Sequence, residues 1–123
     1  MYEISVRKTF SAAHRLKDIG GKCEELHGHN FFVEVALQGN NLNKEGLLLD
    51  FRILKEWVET ALEELDHKFL NELPYFRELN PSAENIAHFL YERVSDRVKE
   101  KEGLKVAYVS VWEGEGASAT YRS

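Results

Sequence analysis

Three histidines and the chain's only cysteine fall close together. His14 ends "FSAAH", and "CEELHGHN" sets Cys23 four residues before His27, with His29 two further on. Neutral imidazole suits zinc, and an H-x-H pair on a strand turns both rings to one face. Three protein nitrogens leave the fourth tetrahedral position to water or substrate, the arrangement of a catalytic site rather than a closed structural one. Isolated histidines are more often structural, so the convergence of His14, His27 and His29 from two neighbouring strands is what gives the motif its meaning.

Cys23 admits three readings. As a fourth ligand it would close the metal to substrate. As a free thiol beside a cation it would form its thiolate readily and serve as a general base near neutral pH. As a small buried hydrophobe it would do no chemistry, although Gly21 and the polar "KCEE" context weigh against deep burial. Further along, "ELDHKF" sets Asp66 beside His67 at the expected end of a helix, where a carboxylate can orient an imidazole or raise its pKa. Helix ends also favour histidine for dipole reasons alone. Glu113 follows "YVSVW"; facing a pocket, its two oxygens would accept paired N–H groups from the edge of a flat heterocycle, and facing water it would be an ordinary hairpin residue. His88, between Ala87 and Phe89, reads as structural.

The elements that must position these groups are legible from periodicity. Even positions from Tyr2 to His14 alternate as in a half-buried strand, and "HNFFVEVALQG" supplies a second, with Phe31, Val33, Val35 and Leu37 on the side shared by His27 and His29. "DFRILKEWVETALEELDH" places Phe51, Leu54, Val58, Ala61, Leu62 and Leu65 at helical spacing. A second helix opens in "NPSAENIAHFLYERVSDRVKE", capped by Asn80 or Ser82, with Ile86, Leu90, Val94 and Val98 as its stripe. "KVAYVSVWE" and "ASATYR", joined through "GEG", predict an antiparallel hairpin. The order β-β-α-α-β-β predicts an α+β fold, a four-stranded antiparallel sheet with two helices on one face. In "VAYVSVW" both parities are apolar, so the uncovered sheet face is expected to need a partner, supplied by a symmetric homo-oligomer.

The 123 residues suffice for one domain, 1–123, and 43% hydrophobic with 30% charged residues excludes a disordered or fibrous chain. No apolar run is long enough for a membrane span, no signal-peptide core opens the chain, and a lone cysteine suits a reducing compartment, so a cytoplasmic location is expected. A net charge of -5 disfavours a general nucleic-acid binder. The first 22 residues are nevertheless net positive, with Arg7, Lys8, Arg15, Lys17 and Lys22 against Glu3 and Asp18. That end is a candidate for holding a small anion, or simply a solvated strand edge.

Taken in order, "FSAAH", "CEELHGHN", "LLLDF", "LDH", "NPSAENIA" and "VWE" resemble the 6-pyruvoyltetrahydropterin synthase superfamily of the tunnelling fold along essentially the whole chain. The three-residue gap between Cys23 and "HGH" is most similar to the bacterial 6-carboxy-5,6,7,8-tetrahydropterin synthase branch of the queuosine (preQ0) pathway. The resemblance implies a zinc-dependent lyase converting 7,8-dihydroneopterin triphosphate to 6-carboxytetrahydropterin, acetaldehyde and triphosphate, assembled as a homohexamer. It implies that His14, His27 and His29 hold Zn2+ and that Cys23 is a base beside the metal. Asp66 and His67 would be a second proton-transfer element reaching in from a neighbouring subunit. Glu113 would anchor the pterin, with Ser82, Ala83 and Glu84 lining its pocket. The pyruvoyl-forming synthase and a non-catalytic zinc or pterin-binding module are the alternatives. Glu24 and Glu25 add another, because one branch of the superfamily uses glutamate in place of cysteine and cleaves dihydroneopterin as an aldolase would.

Overall fold

The computed structural model describes the backbone of all 123 residues, and every side chain except those of Lys22 and Cys23. Its principal elements are β1 (Tyr2–His14), β2 (His27–Gly39), α1 (Phe51–Glu63), α2 (Ala83–Val98), β3 (Leu104–Glu113) and β4 (Ser118–Tyr121). Short 3-10 turns at Gly21–Glu24, Leu70–Glu72 and Pro74–Phe76 were not foreseen from the sequence. The strands form one four-stranded antiparallel sheet, as expected, and their order across it is β1-β2-β3-β4. No helix among the described residues is long and apolar enough to cross a membrane.

Alternation fixes which face of the sheet is buried. Val6, Phe10, Ala12 and His14 of β1 and Phe31, Val33, Val35 and Leu37 of β2 all turn toward the helices. The Phe10 and Phe31 rings, cross-strand partners in the register, stack at 4.8 Å and 12°. Helix α2 lies across β3 and β4, and α1 packs on α2 and β1. The α2 stripe of Ile86, Leu90, Val94 and Val98 is buried as its spacing predicts. Its cap is Ser82 rather than Asn80: the Ser82 hydroxyl accepts the Asn85 N–H at 3.1 Å.

Three expectations need correction. Phe51, assigned to the apolar stripe of α1, is the first helical residue and lies exposed, whereas Trp57, absent from that stripe, is buried. Leu65 is buried but lies beyond the helix, which ends at Glu63. The doubly apolar pattern of β3 has a local cause. Ala36 pairs with Tyr108 and Leu37 with Val106, so Ala107 is an extra residue that reverses the alternation. Val106 on one parity and Val109 and Val111 on the other are therefore all buried in the same core. The face away from the helices still carries Tyr108, Trp112 and Phe32, the last 44% exposed, so its apolar surface is smaller than the sequence suggests.

Asp66 and His67 sit in the turn after α1, not on the helix. There the chain folds back on β1. The Ser11 N–H donates to Asp66 Oδ1 at 3.0 Å, the His67 N–H to the Ser11 carbonyl at 2.6 Å, and the Ala13 N–H to the Lys68 carbonyl at 3.0 Å. This contact extends the sheet edge by a parallel bridge between Ala13 and Phe69. It also places His67 in the left-handed region, at φ 59.

The Ser11 amide, aided by His67 with its Nδ1 3.0 Å from Asp66 Oδ1, holds the Asp66 carboxyl below its ordinary value of 3.8. The native state then binds fewer protons than the unfolded chain in acid. The resulting stabilisation is complete above the unfolded value and is lost as pH falls through the lower native one. Urea midpoints of wild type and Asp66→Asn should therefore differ near neutral pH and converge as pH falls below 3.8. A difference independent of pH would show that the carboxylate charge is not what Ser11 holds.

Candidate metal and pterin site

The hairpin register builds the histidine cluster. His14 is the cross-strand partner of His27, and His29, two residues further on, pairs with Ala12 on the same face. Their rings lie edge to face, with centroids 4.5 Å apart for His14–His27, 4.7 Å for His27–His29 and 5.5 Å for His14–His29. One ligand nitrogen from each lies within 4.8 Å of the others.

Two of the rings are oriented from behind. His14 Nδ1 is 2.7 Å from the Pro81 carbonyl and His27 Nδ1 is 2.8 Å from the Glu25 carbonyl. A carbonyl can only accept, so both Nδ1 atoms carry a proton, which in a neutral ring leaves the Nε2 lone pair free for a metal. His14 is fully buried, and its Nε2 is a buried side-chain polar atom with no hydrogen-bond partner. Burial pushes the His14 imidazole below its ordinary pKa, keeping it neutral, the form a metal requires. The donor set, its tautomers and this orphaned nitrogen all fit a divalent ion of zinc's preferences.

Glu113 faces this cluster rather than water. Its Oε1 is 3.7 Å from His14 Nε2 and its Oε2 is 3.9 Å from His29 Nε2. The same carboxylate lines a cavity of about 250 Å³ with Ser82, Ala83 and Glu84. The four residues expected to hold a heterocycle are thus brought together beside the histidines. Leu16 and the Ala117–Ala119 stretch complete the wall and were missed, because nothing in their types marks them as ligand contacts.

The Cys23 side chain lies outside the described residues. Asp66 and His67 are not gathered into the histidine cluster. The His67 side chain is 81% exposed and lines an open groove of about 540 Å³ with Ser11, Asn30 and His29, the last of which also belongs to the cluster. Glu24 reaches back to accept the Asp18 N–H at 2.9 Å.

These features agree with comparisons to known proteins. Residues 3–123 match the family model described as 6-pyruvoyl tetrahydropterin synthase. The chain is 40% identical over 111 residues to dihydroneopterin monophosphate aldolase of Pyrococcus furiosus, covering 90% of this chain and 89% of that protein. It is 34% identical over 119 residues to a putative 6-carboxy-5,6,7,8-tetrahydropterin synthase of Archaeoglobus fulgidus, covering 97% and 94%. The solved structure of Caenorhabditis elegans 6-pyruvoyl tetrahydropterin synthase superposes with a TM-score of 0.88 at 25% identity, over 99% of this chain and 95% of that one. A match over nearly its full length makes the chain a member of the 6-pyruvoyl tetrahydropterin synthase family.

Proposed function

We propose that the protein is a zinc-dependent carbon–carbon lyase that shortens the side chain of a phosphorylated dihydroneopterin. The observation that carries this reading is the juxtaposition of Glu113 with both the His14–His27–His29 cluster and the cavity beside it. Glu113 accepts the paired N–H groups of the pterin edge, and the three imidazoles hold zinc where the side chain enters. A zinc ion bound there would act as a Lewis acid, acidifying the side-chain hydroxyls. Cys23 takes a side-chain proton, and Asp66 with His67, exposed in the single subunit, returns one at the site of a neighbouring copy. The exposed position of that pair and the apolar residues on the open sheet face support assembly into a homo-oligomer, a hexamer on the family pattern.

The cavity lies below the roughly 300–1,000 Å³ of pockets that enclose drug-sized ligands. It suits a fused ring and leaves the phosphates outside. In the first reading the substrate is 7,8-dihydroneopterin triphosphate. With one water it gives 6-carboxytetrahydropterin, acetaldehyde and triphosphate, the hydrogen gained by the ring being balanced by oxidation of the side-chain carbon. The motif spacing and the relative from A. fulgidus support it.

A second reading has the more similar relative behind it, the aldolase at 40% identity, together with Glu24 and Glu25 next to Cys23. Retro-aldol cleavage of the monophosphate would leave 6-hydroxymethyl-7,8-dihydropterin and a phosphorylated two-carbon aldehyde.

Incubation of purified protein with each phosphate, followed by mass spectrometry, should separate these readings. The carboxy product with acetaldehyde marks the first, and the hydroxymethyl product marks the second. A pyruvoyl product would replace both by the triphosphate-eliminating synthase, and binding without turnover would leave a non-catalytic module.

Metal analysis should find about one zinc per chain. Cys23→Ala should keep that zinc while losing turnover; loss of both together would make the sulfur a ligand. Glu113→Ala should weaken pterin affinity by about 10- to 100-fold, the scale of a hydrogen bond to a charged group, and unchanged affinity would remove Glu113 from the pocket.

A further inference from the structure

We infer that Asn71 and Asn80 are positioning residues, two side-chain amides that clamp the segment after His14 and so set the path of the loop carrying Cys23. The Arg15 N–H donates to Asn71 Oδ1 at 2.9 Å while Asn71 Nδ2 donates to the Arg15 carbonyl at 2.9 Å. Two residues on, the pattern repeats. The Lys17 N–H donates to Asn80 Oδ1 at 2.8 Å and Asn80 Nδ2 donates to the Lys17 carbonyl at 2.9 Å. An asparagine amide presents a donor and an acceptor side by side, as a peptide group on a neighbouring strand does. Each pair of contacts therefore fixes orientation as well as distance, and each amide has only one flip that satisfies both partners.

The clamp acts where packing does not. Residues 15–21 have no buried member, and Leu16 alone among them is half-buried. Asp18 at φ 64, Gly20 at φ 75 and Gly21 at φ 72 give the chain a sharply turned path that no core contact enforces. Both asparagines, by contrast, stand on anchored backbone. Asn71 lies in the 3-10 turn that begins with the fully buried Leu70. Asn80 has its carbonyl held by Asn85 Nδ2 at 2.8 Å and precedes Pro81, whose carbonyl orients His14. One stretch, residues 71–82, thus references both a metal ligand and the loop between His14 and His27. Glu24 closes the far end of that loop on the Asp18 N–H.

The catalytic part of this inference rests on the lyase reading; the clamp itself does not. Both are tested with the zinc-loaded protein and the Asn71→Ala and Asn80→Ala variants. The near-isosteric Asn71→Leu and Asn80→Leu variants, which lose both acceptor and donor, serve where alanine lowers stability. Amide exchange at Arg15 and Lys17 should quicken about tenfold or more, the factor for one net hydrogen bond. With either phosphorylated dihydroneopterin, kcat should fall about tenfold or more, as small displacements of a reacting group do. KM and zinc content should hardly change.

A merely structural role would lower the thermal midpoint without separating kcat from KM. Unchanged exchange at both amides would overturn the clamp, and faster exchange with undiminished kcat would overturn the positioning role. A wild type inert toward every phosphorylated dihydroneopterin would sink the lyase reading and the catalytic role with it, while exchange would still report on the clamp.

Discussion

The continuous pairing of β1 with β2 is the constraint on which the site depends. It runs without interruption from Tyr2 opposite Gly39 to His14 opposite His27. A slip of one residue would send every side chain of one strand to the other face and separate His14 from its partners. Stacking of Phe10 on Phe31, with Val6 facing Val35 and Ile4 facing Leu37, opposes such a slip by making the buried face apolar in only one register. The cluster is therefore the outermost rung of a ladder whose inner rungs are hydrophobic core.

That placement has a cost. A buried nitrogen without a partner costs on the order of 1–3 kcal/mol, and His14 Nε2 is one. The ring cannot turn to relieve it, because the Pro81 carbonyl holds its other face and Phe31 lies edge-on at 5.4 Å. The protein thus keeps an electron pair in a dry, rigid position beside a carboxylate, a preorganised state that a cation would relieve. On the opposite side of the ladder's end, the connecting loop has little packing of its own and leans on side-chain amides instead. The imidazoles are thus held by the sheet and its core, and the loop beside them by side-chain amides.

Much of this was legible in the sequence because it obeys short periods. Two-residue alternation placed His14, His27 and His29 on the buried face, and helical spacing found the stripe of α2. What could not be read arose from contacts between distant segments. Helix α1 stops early because Ser11, more than fifty residues away, offers its amide to Asp66. Phe51 is apolar and in phase but falls at a helix start beyond the reach of the core. Asn71 and Asn80 look like ordinary turn residues, since an amide that imitates a strand leaves no periodic trace. Glu113 stood out at the end of an apolar strand, but its approach to the histidines needed three dimensions.

The single extra residue in β3 acts as a phase shift within the strand. Val106 and Glu113 are seven positions apart, an odd number, so in a regular strand they would point to opposite sides of the sheet. Because Ala107 is looped out, Val106 opposite Leu37 and Glu113 opposite Phe31 share the helix side. The carboxylate reaches the imidazoles through a miscount of one: were Ala107 retained but paired in regular register, every later residue would shift by one and the acid would turn toward the far surface. In this strand the number of residues, as much as their chemistry, encodes what the cavity contains.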